Sequence, residues 1–121
     1  LVRSEPGNPA RPAAGLRLCA LTEIADPGAR SFRFRDGDRL FAGFVVRDGD
    51  QVAGFVDSCP HAGWPLAPIE DRYLTRDHRH ILCAGHGALF DRSGLCVAGP
   101  CQGDRLAAWA VRVEGDSIVT A

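Results

Sequence analysis

The sequence contains no lysine and no methionine, and all 14 of its basic residues are arginine. The arginines are scattered along the chain, which reads as a coding bias of the source genome rather than a binding device. Against 15 acidic residues they leave a formal net charge of -1, so there is no basic footprint for nucleic acid or an acidic membrane surface. No apolar run approaches the roughly 18 residues that a membrane-spanning helix requires. Also missing is a convincing 3.6-residue hydrophobic period over any window of helical length. Leu106–Val113 comes nearest, but its β-branched end and the following Gly115-Asp116 favour a strand. Cysteine is sparse. Five residues, at 19, 59, 83, 96 and 101, do not close into a full disulfide framework and fall far below the density of small stapled folds. They point to metal or redox chemistry in a reducing compartment, and the cytoplasm is the expected one. The chain begins at Leu1 rather than Met, so the lack of a signal segment bears little on that expectation.

What is present suits one globular domain: 121 residues, of which 45% are hydrophobic and 24% charged, a balance that argues against disorder. Pro6, Pro9 and Pro12, with Gly7 and Gly15, forbid a helix at the start. Residues 1–15 are therefore expected as a flexible arm and residues 16–121 as the domain. From Leu16 onward, short β-like runs alternate with turn signals. Arg17–Leu21, Ser31–Arg35, Leu40–Val46, Gln51–Val56, Trp109–Val113 and Ser117–Thr120 read as strands. Asp48-Gly49 between two apolar runs is a strong hairpin signal. Tyr73–Thr75 and His80–Leu82 read as a weaker hairpin, in which His78 takes a turn position suited to positive φ. The expected architecture is all-β.

Two segments break this pattern. One is Cys59-Pro60-His61-Ala62-Gly63-Trp64-Pro65-Leu66; the other is Cys83-Ala84-Gly85-His86-Gly87-Ala88-Leu89-Phe90-Asp91. Each follows a strand, and each offers one thiol and one imidazole on a Gly- or Pro-rich turn. Two such loops at one end of a β-fold would converge on a site with two Cys and two His. A zinc-stabilised binding module could use the same ligand types, but structural zinc favours Cys pairs two to four apart, and C-x-H is an awkward bite for one tetrahedral ion.

The spacing C-x-H, spacer, C-x-x-H, with Gly63 and Gly87 trailing the two motifs, resembles the Rieske family of [2Fe-2S] proteins. That resemblance implies a Rieske-like antiparallel β-sandwich with a small cluster-binding subdomain, its loops within about residues 57–101. It implies a [2Fe-2S] cluster with Cys59 and Cys83 on one iron and His61 and His86 on the other. Replacing two thiolates by neutral imidazoles removes negative charge and raises the potential relative to an all-Cys cluster. Glycines beside the ligands let backbone N–H groups approach the sulfurs.

Family members that oxidise quinol carry an extra Cys in each ligand loop, and Ser and Tyr hydroxyls near the cluster. Here the matching positions are Trp64 and Gly85, Ala88 and Phe90, none of which supplies a thiol or a hydroxyl. The resemblance therefore implies a potential near the low end of the range, about -150 mV. It implies a stand-alone Rieske-type ferredoxin that takes electrons from a flavoprotein reductase and passes them to a terminal oxygenase, with no substrate turnover of its own. The 35 residues after His86 cannot hold the mononuclear iron domain of an oxygenase. A Rieske-like small subunit of a multi-subunit reductase, such as nitrite reductase, is the alternative. Trp64, Pro65, Leu89 and Pro100 are candidates for partner docking or for shielding the cluster. Cys19 reads as a small buried hydrophobe. Cys96 and Cys101 read as two free thiols in a turn, with a local disulfide as the other possibility, and neither is expected as a ligand.

Overall fold

The computed structural model describes residues 8–60, 66, 72–83 and 87–121. Among the described residues there are three antiparallel sheets of three strands each. The central sheet runs β2 (Gly28–Asp36), β3 (Arg39–Asp48) and β4 (Gln51–Val56). The chain termini meet in a second sheet, ordered β1 (Arg17–Ala20), β9 (Ser117–Thr120), β8 (Val111–Glu114). The third and smallest contains β5 (Ile81–Cys83), β6 (Ala88–Phe90) and β7 (Cys96–Ala98). The all-β expectation holds, as does the Asp48-Gly49 hairpin, where Asp48 pairs with Gln51.

Strand β3 explains the layering. Its side chains alternate between faces, and both faces are covered. Phe41 and Val45 join Trp109, Ile118, Cys19 and Ile24 in one core; Phe44 and Val46 join Phe55, Tyr73, Ile81, Phe90 and Leu106 in another. A strand buried on both sides reads as a continuous apolar run, which is how Leu40–Val46 looks in the sequence. Gly43 lets Trp109 lie flat on the sheet: a Cβ there would sit 2.5 Å from Trp109 Cε3. Trp109 meets Phe32, Phe34 and Phe41 edge-on, the last at a centroid distance of 5.1 Å.

Several elements differ from the sequence expectation. Val111, not Trp109, begins β8; Trp109 N–H instead donates to Gly54 O (2.9 Å), stitching the chain to the β4 edge. Leu21 belongs to a 3-10 turn, Leu21–Glu23, rather than to the first strand. The expected Tyr73–Thr75 strand contracts to one bridge, Leu74 with Ile81, and β5 finds its longer partner in β6. Strands of three residues are too short to declare a period. His78 does take positive φ, at 61°. The described part of the expected arm, residues 8–15, is held against the domain. Ala10 is buried, Arg11 lies over the Phe41 ring, and Thr120 Oγ1 donates to Ala13 O (2.7 Å) while accepting from Leu16 N–H.

Candidate metal centre

The first cluster loop leaves the end of β4. Asp57 follows Val56 directly and is 7% exposed, yet both of its carboxylate oxygens are paired. Oδ1 accepts the Leu66 N–H and Oδ2 accepts the Tyr73 O–H, each at 2.8 Å. The carboxylate therefore ties both ends of segment 57–66, which carries Cys59. Tyr73 is itself fixed by stacking on Phe44, with ring centroids 4.2 Å apart and planes within 6°. Burial, and then the adjacent Asp57 charge, push the Tyr73 phenol well above its ordinary pKa. Cys59 is fully buried. His61, Trp64 and Pro65 lie outside the described residues.

The second loop leaves the end of β5. Cys83 is buried and pairs across the sheet with Ala88. Gly87 N–H donates to Cys83 O at 2.8 Å, and Gly87 adopts φ of 71°, where a side chain would be strained. His86 lies outside the described residues. Ala88 and Phe90 point into the same core as Cys59 and Cys83, as do Cys96 and Cys101.

This arrangement fits an iron–sulfur group. Cys59, three residues past the end of β4, and Cys83, the last residue of β5, are buried in one apolar core, and neither is in a disulfide. In the sequence each is followed by a histidine two or three positions on. Two thiolates and two imidazoles are the donor set of a Rieske centre, and an apolar surround limits water access to it.

The remaining candidates sort by position. Cys19 belongs to the opposite core, where burial raises its thiol pKa. Leu89 is half-buried and Pro100 exposed. Cys96 and Cys101 are buried with their Sγ atoms 2.7 Å apart, Cys96 lying in β7 rather than in a turn. Burial and the contact with Cys96 push the Cys101 thiol up to about 12. Asp57 and Tyr73 were not evident as site residues from sequence. An acidic residue ending the apolar run Val52–Val56, two positions before an expected ligand Cys, was the available signal.

The Rieske [2Fe-2S] domain family model matches residues 16–113. The chain belongs to that family, and its cofactor is a [2Fe-2S] cluster. It is an electron-transfer protein of the Rieske ferredoxin type. Among solved structures it is similar to the ferredoxin of carbazole 1,9a-dioxygenase from Nocardioides aromaticivorans IC177, with 30% identity and a TM-score of 0.70 over 90% of this chain and 98% of that one. It is also similar to a chain in the complex of reduced oxygenase and oxidized ferredoxin in carbazole 1,9a-dioxygenase, with 28% identity and a TM-score of 0.67 over 88% of this chain and 100% of that one. A Sphingomonas yanoikuyae B1 ferredoxin shares the fold at 24% identity and a TM-score of 0.62, over 87% of this chain and 95% of that one. No curated protein sequence matches the chain. Among the described residues, no helix is long and apolar enough to cross a membrane.

Proposed function

We propose that this ferredoxin accepts single electrons from a flavoprotein reductase and delivers them to a terminal oxygenase in the cytoplasm. In this reading Cys59 and Cys83 hold one iron, and His61 and His86 hold the other. The observation that carries it is the pair of buried thiols in one core, Cys59 three residues past the end of β4 and Cys83 at the end of β5, each followed in the sequence by a histidine two or three positions on. When bound, the cluster supplies a one-electron couple. The chain's own residues bury the sulfur side, tie down the first loop through Asp57 and close the second through Gly87 N–H. The imidazoles form the partner-facing edge in this proposal, bordered by Trp64, Pro65, Leu89 and Pro100. An apolar rim with few charges suits brief docking through a small interface. The similarity to a ferredoxin from a complex with its oxygenase supports the choice of acceptor.

The test is reconstitution. Iron, acid-labile sulfide and the electron paramagnetic resonance spectrum are measured on the purified protein and on Cys59→Ala, His61→Ala, Cys83→Ala and His86→Ala. Each substitution is expected to remove colour and to lower stability, since cluster binding is partly folding energy. A Cys83→Ala protein with full iron and sulfide overturns the ligand assignment. Failure of the intact protein to support product formation by a reductase and oxygenase pair overturns the carrier assignment. Tight co-purification with a large reductase subunit would point instead to a fixed subunit.

A further inference from the structure

Cys96 and Cys101 are held together by the backbone, not merely near each other. Cys96 N–H donates to Asp104 O (2.8 Å), and Cys96 O accepts from Gly103 N–H (3.0 Å). Asp104 N–H donates to Cys101 O (2.8 Å), so the segment between the two thiols is closed at its base. The two Sγ atoms are 2.7 Å apart, far inside the separation at which non-bonded sulfurs rest; a covalent S–S bond is about 2.05 Å. Both side chains are buried, at 1% and 2% exposure. The residues above them, Val97, Gly99, Pro100, Gln102 and Gly103, are exposed, so opening this one turn brings both sulfurs to solvent.

The segment also leans on the cluster loops. A Cβ at Gly99 would lie 2.8 Å from Ala88 Cα and 3.3 Å from Gly87 O, next to the turn that follows His86. Cys101 lies within electrostatic reach of Cys59. The pair thus shares one buried core with Cys59 and Cys83.

We infer that Cys96 and Cys101 form a reversible intrachain disulfide that braces the core holding Cys59 and Cys83. With a low-molecular-weight disulfide RSSR as oxidant, one protein thiolate attacks it, releasing RSH and leaving a mixed disulfide. The second thiolate then attacks the protein sulfur and releases the second RSH. One S–S bond breaks and one forms, two electrons pass from the protein thiols to the oxidant, and the two thiol protons leave on the two RSH. Disulfides in reducing compartments are characteristically of this transient, redox-responsive kind.

The test uses the holoprotein treated with oxidised glutathione, its visible spectrum recorded before and after, then denatured, alkylated and digested with trypsin. Residues 93–105, bounded by Arg92 and Arg105, carry Cys96 and Cys101 and no other cysteine. The expected product is that peptide lighter by two hydrogens and unalkylated, restored to a doubly alkylated form by prior reduction. A doubly alkylated peptide after oxidation, or glutathione adducts alone, overturns the inference. The oxidised protein is expected to lose its colour to a chelator several-fold more slowly than Cys96→Ser treated alike; equal rates overturn the bracing role. The cluster assignment is read separately, from the spectrum of the untreated protein.

Discussion

The phenol of Tyr73 donates a hydrogen bond to Oδ2 of buried Asp57 at 2.8 Å. Because Oδ1 of the same carboxylate holds the Leu66 N–H, one acidic side chain closes a segment that contains a proposed iron ligand. A buried carboxylate is tolerated when its oxygens are paired. Here both are.

Tyr73→Phe keeps the ring stacked on Phe44 but removes the donor, leaving Asp57 Oδ2 unsatisfied. The expected cost is about 1–3 kcal/mol, which for a domain of this size lowers Tm by about 4–12 °C. The visible absorbance of the cluster should fade earlier in the same melt. A Tm within a degree of the parent would show that the bond is not structural.

The raised Tyr73 pKa gives stability an alkaline limit. A phenol whose folded pKa lies above its unfolded value of about 10 contributes stability that is fully present below pH 10. That contribution is lost as pH rises toward the folded pKa, because the unfolded chain ionises first. Tyr73 is the only tyrosine, so the rise in absorbance near 295 nm on phenolate formation reports one group. Native protein is expected to show little phenolate at pH 11, and unfolded protein to show most of it. Equal titration in both states would contradict the burial argument.

Gly43→Ala places a methyl group 2.5 Å from the nearest Trp109 ring atom, against a wall also lined by Phe41. Overpacking of this kind costs about 1–3 kcal/mol. Since Trp109 belongs to the core on the far side of β3 from Cys59 and Cys83, the potential and the paramagnetic resonance spectrum should not move. A shifted potential would mean the two cores are coupled through the sheet.

With Ala88 and Phe90 unable to donate hydrogen bonds, the midpoint potential is expected near -150 mV. Ala88→Ser supplies one hydroxyl beside Cys83. A bond that favours the reduced form by about 1 kcal/mol raises a one-electron potential by roughly 40 mV. Protein-film voltammetry on both proteins checks the direction; a fall, or a parent value far above zero, rejects the argument.

Trp64→Ala separates docking from shielding. Docking predicts slower electron delivery to the oxygenase at unchanged potential, measured by stopped flow and voltammetry on the same preparations. A shifted potential or a labile cluster assigns Trp64 to shielding, and no change in either leaves it without a role.

The sequence by itself determined the class. The four expected ligands fall in two short contiguous motifs, Cys59 to His61 and Cys83 to His86, because a metal ligand pair on one turn must be close in sequence to share a centre. Long strands were legible for a similar local reason: Leu40–Val46 and Gln51–Val56 are apolar runs split by Asp-Gly, and the pleat imposes its period over that length. Short strands such as Ala88–Phe90 and Cys96–Ala98 were not, since three residues fit any pattern. Tertiary structure alone decided which distant residues support the site. Tyr73 reaches Asp57 across 16 positions, Gly99 packs on Ala88 across 11, and Trp109 settles on Gly43 across 66. None of these pairs has a local signature. Each exists because separate strands meet, and a hydrogen bond or a missing Cβ acquires its meaning only from the atom brought opposite it.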